Sequence, residues 1–554
     1  MKNRIVLLLA TVSSLLLSTL SGFGQDELQL AEKVILCTDR KLYIAGEQIG
    51  FSCTCLKLKD AAEAFSKVLF VELVSMDGQR IVSQKHPIDV KGFTEGNLVI
   101  PASVSSGMFL LKAYTKHLEA KGPNYFGYVL IRVINAQKPQ LNLADKQGSA
   151  IEQSEGLNDR QLAELKINKT LFKKREQGTA SFHFTGTRGS IASLSASIAL
   201  SVCLDENEFQ PKFIYQHGLQ AYETQSKGIC LTGQVLDEKT TTPMPNKRVN
   251  LSIIGSNDFI ETLTDTRGRF CFELPSLYGF HDVFINVNDT TSARMLIQVD
   301  NDFAPSGTVT NPLLMNFSAE EANTVHKLVL NYLINTNLGL LPQQDTEPSI
   351  RKMQAFYGTP DQTLVLDEFI QLPTLEEYFN ELPYLVKVRK DKHRKYFKLY
   401  AAQKELELYE PLVLIDFVAI SKPDKVLAIA PTEVERIEFV HHLYQRGDVL
   451  YGGIVSILSK KGNFAGVDLP GNGMFINYGF YAPQNTSQPI DLANTNLPDA
   501  RNTVLWEPKM NIAADGSGTL NFTTPDTPGE YTLMLKCIMQ SGQVLSFKKN
   551  FLVE

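Results

Sequence analysis

The stretch CTDRKLYIAGEQIGFSC, Cys37 to Cys53, decides how the rest of the chain is read. Apolar residues flank a polar centre, and Gly46 stands where the backbone must reverse, because glycine takes positive φ without a Cβ clash. The spacing predicts a turn at Gly46-Glu47-Gln48 that enters a strand. Cys53 and Cys55 lie two apart and share one face of that strand, while Cys37 lies on the strand before the turn. Both a Cys37 disulfide to Cys53 or Cys55 and buried free thiols fit this arrangement.

Outward from this stretch the pattern stays β. KVILC, QIGFSCTCL, SKVLFVELV and YVLIRVI are apolar-rich runs separated by polar turns, and Asp77-Gly78 is a strong hairpin signal. They define a first sandwich over 33–139. The polar, aperiodic residues around 140–160 read as a linker, followed by a second β unit over 160–228. A third, 229–305, carries turns at Gly233, Pro243, Pro245 and Gly268. Ser318 and Glu321 form a capping box ahead of ANTVHKLVLNYLI, which makes 306–347 a helical linker. A mixed α+β unit over 348–463 includes the amphipathic TLEEYFNEL, and a C-terminal β domain follows over 470–554. The expected class is mainly β and multidomain: Ig-like and transthyretin-like β-sandwiches plus one α+β domain.

The chain has 554 residues, enough for roughly three to five units. A net charge of -6 with interspersed acids and bases leaves no footprint for nucleic acid. Lys2 and Arg4 precede an apolar run from Ile5 to Leu20 and small residues up to Gly24, so 1–24 reads as a signal peptide and the mature chain as exported. Export permits disulfides among the seven cysteines, and Cys230 with Cys271 is a second candidate pair. Seven is odd, so at least one thiol stays free or pairs with another chain.

Three segments resemble known modules. The opening stretch, with its Asp-Arg, Tyr and Ala-Gly-Glu turn, resembles macroglobulin-like β-sandwich domains. In relatives with a reactive thioester, a thiol immediately precedes the GEQ; here that position is Ala45, so no thioester forms. TGQVLDEKTTTPMPNKRVNLSIIG and TDTRGRFCFELP are similar to the carboxypeptidase regulatory-like domain, on Gly233, Asp237, Asp265, Gly268 and Phe270. YEPLVLIDFVAI and the residues up to Lys461 resemble the plug of TonB-dependent outer-membrane receptors, on Asp416, Ile437, Tyr451, Gly452 and Lys460. Phe417 and Ser459 replace the usual glycine and threonine of that pattern. The whole order resembles a family of exported proteins that combine these modules without a barrel.

A receptor barrel of about 22 strands needs well over ~200 residues, and 92 follow Gly462. The plug-like segment is thus expected to serve another protein's pore or to act as a plain binding domain. No zinc-helix, nucleophile-elbow or phosphate-loop motif occurs, and adjacent His441 and His442 in a strand point to opposite faces. Tyr43, Phe51 and Tyr114 read as sandwich core, and the basic run Lys387 to Lys398 as a solvated turn or a grip for phosphate or anionic lipid. The expectation is a non-enzymatic protein without cofactor or metal, in the periplasm or at the outer membrane. It would bind or plug an outer-membrane β-barrel, or scaffold a transport assembly, with membrane association through the partner. A protease trap without thioester, and a structural spacer or assembly factor for surface proteins, are the alternatives.

Overall fold

The computed structural model describes residues 32–554 apart from 59–65, 138–141, 144–162, 185–189, 205–208, 215–224, 289–293, 306, 314, 341–353, 384, 392–393, 401–405, 407, 421, 447–448 and 484–495. The expected signal segment and most of the expected linker around 140–160 lie outside the described residues. The chain is mainly β and multidomain, with its strands in many small sheets. It divides into two compact units, the first made of residues 1–227, 303–344 and 484–554, the second of 228–302 and 345–483.

The first unit holds two sandwiches. In the first, Glu32–Thr38, Gln48–Lys57 and Phe93–Val99 form a three-stranded sheet, and Leu42–Ile44, Gly127–Ile134, Gly107–Tyr114, Val68–Ser75 and Arg80–Pro87 follow one another in a five-stranded one. Gly46 has φ +100° in the expected turn, and a Cβ there would come within 2.1 Å of the Tyr332 hydroxyl. Gly78 has φ +89° in the expected hairpin. In the second sandwich, Ala163–Ile167, Gln177–Phe184 and Ser517–Thr523 face a five-stranded sheet ordered Leu171–Phe172, Val544–Val553, Gly529–Met539, Ile191–Leu200, Thr503–Glu507. Strict alternation along Gln177–Phe184 buries Ala180, Phe182 and Phe184 and leaves Thr179, Ser181 and His183 to solvent. Helix Ala319–Asn337, with both bonds of its Ser318–Glu321 capping box made, packs Val325 and Leu328 into that core. Each such side chain contributes about 1.5–3 kcal/mol by burial.

Two expected boundaries are corrected here. Residues 470–554 are not a domain of their own: Ser517–Thr523 pairs with Gln177–Phe184, Gly529–Met539 with Ile191–Leu200, and Met474–Gly479 joins a sheet of the second unit. The local pattern of a strand specifies its buried face but not its partner, and Ser517–Thr523 and Gly529–Met539 close a sandwich begun more than 300 residues earlier. Residues 306–347 are not a bare helical linker either, because the helix contributes buried side chains to that sandwich's core.

In the structure no disulfide joins any of the seven cysteines. Cys37 faces Ser52 across the ladder, whereas Cys53 faces Leu36 and Cys55 faces Val34. Cys37 therefore points to the face opposite Cys53 and Cys55. Cys230 faces Glu273 and Cys271 faces Thr232, which makes them diagonal neighbours on one face. Diagonal positions lie roughly 7–8 Å apart, beyond the ordinary reach of a disulfide.

The second unit combines a small sandwich with an α+β layer. Arg269–Glu273, Cys230–Asp237 and Met295–Val299 form one sheet of the sandwich, and Asp258–Leu263, Arg248–Ile253, Phe280–Asn288 and Met474–Gly479 the other. The α+β layer is a five-stranded sheet in the order Gln362–Val365, Val434–Val440, Ile454–Ser459, Leu412–Ile415, Val418–Ala419. Helix Leu375–Glu381, capped by Thr374, buries Leu375, Tyr378 and Phe379 in its core. Val386–Lys390 and Lys395–Leu399 pair as a separate two-stranded ribbon.

Candidate functional site

The opening stretch builds a buried polar network inside the first unit. Arg40, 4% exposed, places Nη2 2.9 Å from Glu47 Oε2 and donates from Nε to Thr503 Oγ1 and from Nη1 to the Leu42 carbonyl, each at 2.8 Å. Asp39 accepts from the Tyr43 hydroxyl and from Thr503 Oγ1 at 2.5 Å each, and from the Gly50 N–H at 2.9 Å. Glu47 accepts from the Ile44 N–H and, through Oε1, from Asn502 Nδ2, both at 2.7 Å. Asn502 also donates to the Leu328 carbonyl and accepts from Asn331, which in turn accepts from Thr527. Both sandwiches and the helix thus share one set of hydrogen bonds.

Electrostatics follow from the geometry. Burial alone would lower the Arg40 pKa, but the Glu47 and Asp39 carboxylates outweigh it and hold the guanidinium charged. Burial pushes the Asp39 carboxyl up, against Arg40, Thr503, Tyr43 and the Gly50 N–H. The Tyr43 hydroxyl is raised by burial and by Asp39, and burial pushes Cys203 up to about 12. Such a closed network braces the fold; its acceptors are occupied by groups of the chain itself.

In the second unit, Asp416 and Phe417 are the two central residues of the hairpin joining Leu412–Ile415 to Val418–Ala419, with φ +45° and +66°. Positive φ at both positions is the geometry of a two-residue hairpin turn matched to strand twist. The Asp416 carboxylate accepts from the Ser459 N–H at 2.7 Å, the Ser459 hydroxyl at 2.6 Å and the Phe464 N–H at 2.7 Å. Ile437 is fully buried between Leu364 and Ile457. Tyr451 donates a short hydrogen bond to Glu261, whose carboxyl burial raises. A Cβ at Gly452 would lie 2.2 Å from the Tyr409 carbonyl oxygen, so only glycine fits. Lys460 meets Asp367 at 2.8 Å on the surface. The five residues shape one layer; they do not converge on a common point.

Gly233, Asp237, Asp265, Gly268 and Phe270 are structural in the same sense. A Cβ at Gly233 would meet the Gln298 carbonyl oxygen at 2.3 Å and the buried Phe270 ring at 2.4 Å. Gly268 has φ +71° in a turn that Asp265 closes by accepting from the Arg267 and Arg269 N–H groups at 2.8 Å. Asp237 does likewise for Lys239 and Thr240. His442 Nδ1 lies 3.2 Å from Asp361, while burial lowers the pKa of neighbouring His441. Among the described residues, no three His, Cys, Asp or Glu side chains gather to hold a metal ion, and no helix is long and apolar enough to cross a membrane.

Sequence reading singled out Tyr43 and the Ala-Gly-Glu turn but missed the network they enter. Its other half, Asn331, Asn502, Thr503 and Thr527, comes from segments about 290 to 490 residues away. The one local signal was an Asp-Arg pair followed by Glu47, three of the four charges in a stretch otherwise read as a turn entering a strand.

No family model matches the chain, and no curated protein matches it. Among solved structures, a mutant Salmonella alpha-2-macroglobulin is 10% identical over 95% of this chain and 39% of its own, with a TM-score of 0.23. Escherichia coli alpha-2-macroglobulin activated by porcine elastase is 9% identical over 94% of this chain and 44% of its own, with a TM-score of 0.24. The chain thus spans about two fifths of the length of these proteins. At such TM-scores the architecture rests on its own strand pairing and not on the likeness.

Proposed function

We propose that the chain is a non-enzymatic, exported envelope protein in which the first unit is a rigid platform and the second carries the binding surface for an outer-membrane β-barrel protein. One observation carries this reading. Met474–Gly479 ends its four-stranded sheet with no strand beyond it among the described residues, and Phe475 and Phe280 on its face are 54% and 67% exposed. An edge strand beside exposed aromatics suits recognition by strand addition, where main-chain bonds supply affinity and side chains supply selectivity. The plug-like resemblance of the neighbouring α+β layer supports the choice of a barrel as partner.

A photo-crosslinking residue at position 475, introduced in living cells, tests this. A single barrel protein in the adduct is the expected result. Adducts with soluble proteins alone, or none, would remove the barrel from the reading. The second reading, a protease trap without thioester, draws on the two successive sandwiches of the first unit. Incubation with several proteases decides it, since unaltered protease activity excludes entrapment.

A further inference from the structure

The ribbon Val386–Lys390 and Lys395–Leu399 has an unusual distribution of charge. Lys387 lies directly opposite Lys398, and Lys390 directly opposite Lys395. Like charges at opposed positions weaken a two-stranded pairing, so neither placement serves the ribbon's own stability. Two of its cations are neutralised at home: Lys395 by Glu376 and Arg394 by Glu410, both at 2.5 Å.

Lys387, Arg389 and Lys398 share one face of the ribbon. Lys387 Nζ donates to the Asn380 carbonyl at 2.6 Å, and Arg389 Nε to the Tyr400 hydroxyl at 3.1 Å. Among the described residues, neither has a carboxylate partner. Arg389 and Lys398 both lie over the Tyr400 ring, at 5.7 and 5.4 Å from its centroid, and Tyr396 stands opposite Arg389. The opposite face is apolar, with Val386, Val388, Phe397 and Leu399 buried, which anchors the ribbon and fixes the cationic face outward.

We propose that this face binds a phosphate-bearing lipid surface. Three cations grouped within two cross-strand positions supply the attraction that an anionic headgroup layer exerts on basic clusters. Two tyrosines among them suit the boundary between headgroups and water, since each ring is apolar and each hydroxyl polar. An acidic protein would be met as well by lysines alone; the tyrosines favour the lipid. This surface is separate from the Met474–Gly479 edge, so its failure leaves the crosslinking reading intact.

The test uses the full chain and vesicles of phosphatidylcholine with and without phosphatidylglycerol. Co-sedimentation with phosphatidylglycerol vesicles alone, weakening as sodium chloride rises, is expected. Replacing Lys387, Arg389 and Lys398 together by Gln lowers partitioning on the order of a hundredfold, at about fivefold per basic residue, with an unchanged melting temperature. Lys387→Gln alone, which relieves a like-charge opposition, replaces the triple variant if that does not fold, with about a fivefold loss expected. Equal partitioning of the variants, no binding to anionic vesicles, or tighter binding to polyglutamate would overturn the proposal. Displacement from vesicles by millimolar inorganic phosphate would reassign the face to a free phosphate ion.

Discussion

Arg40→Met tests whether the opening stretch braces the first unit. Methionine keeps most of the side-chain length and removes every charged contact. The substitution deletes the 2.9 Å pair with Glu47 and the 2.8 Å bonds to Thr503 and Leu42, and leaves Glu47 buried without its cation. Breaking a buried pair from one side costs about 3–5 kcal/mol. The single tryptophan, Trp506, lies in the strand Thr503–Glu507 of the first unit, with its ring packed on Gly50. Its fluorescence in a urea titration therefore follows that unit. At an m-value of about 2–3 kcal/mol/M, the midpoint should fall by about 1–2.5 M. Adding Glu47→Gln to Arg40→Met should cost at least ~1 kcal/mol less than the two single losses summed, since the second change removes the orphaned charge. A midpoint shift below about 0.3 M, or strict additivity, would refute the bracing role.

Two further outcomes follow from the geometry. His86 is buried with its ring edge on Phe51 at 4.9 Å, and burial lowers its pKa to about 4. As pH falls below about 6.5 the unfolded chain takes up the proton first, so this contribution is full above 6.5 and is lost toward 4. The loss is about 3 kcal/mol, read as the difference between wild type and His86→Phe in Trp506-monitored urea titrations at pH 7 and pH 4; equal pH dependence of the two would refute it. Asp416→Ala removes three bonds from a partly buried carboxylate and should cost about 2–4 kcal/mol in the second unit, seen as lost hydrogen-exchange protection at the Ser459 and Phe464 amides. Unchanged protection there would refute the anchoring role.

What sequence could reveal was local. The Gly46 and Gly78 turns, the Ser318 capping box and the Thr374-capped helix each depend on a few neighbouring residues, and each is where the pattern put it. Strand partners were not legible, because alternation along 517–523 or 529–539 is the same whether the neighbour is ten or 340 residues away. The cysteines show the limit at its sharpest. Spacing placed Cys53 and Cys55 on one face, but the position of Cys37 depends on the register across the ladder, and that register puts it on the other.

The Asp416-Phe417 turn shows how an unusual residue becomes readable once backbone geometry is known. Phe417 stands at φ +66°, where a side chain costs about 1–2 kcal/mol and glycine would cost nothing. Its ring is buried beside Phe356 and Tyr357, with centroids 6.4 and 6.2 Å away. Burying a phenylalanine contributes about 1.5–3 kcal/mol, enough to offset the strain. Ser459 makes the other departure harmless, because the Asp416 carboxylate needs a hydroxyl and an N–H at that position, and serine supplies both. The turn therefore keeps its hydrogen bonds while replacing an open glycine with an aromatic plug for its own core.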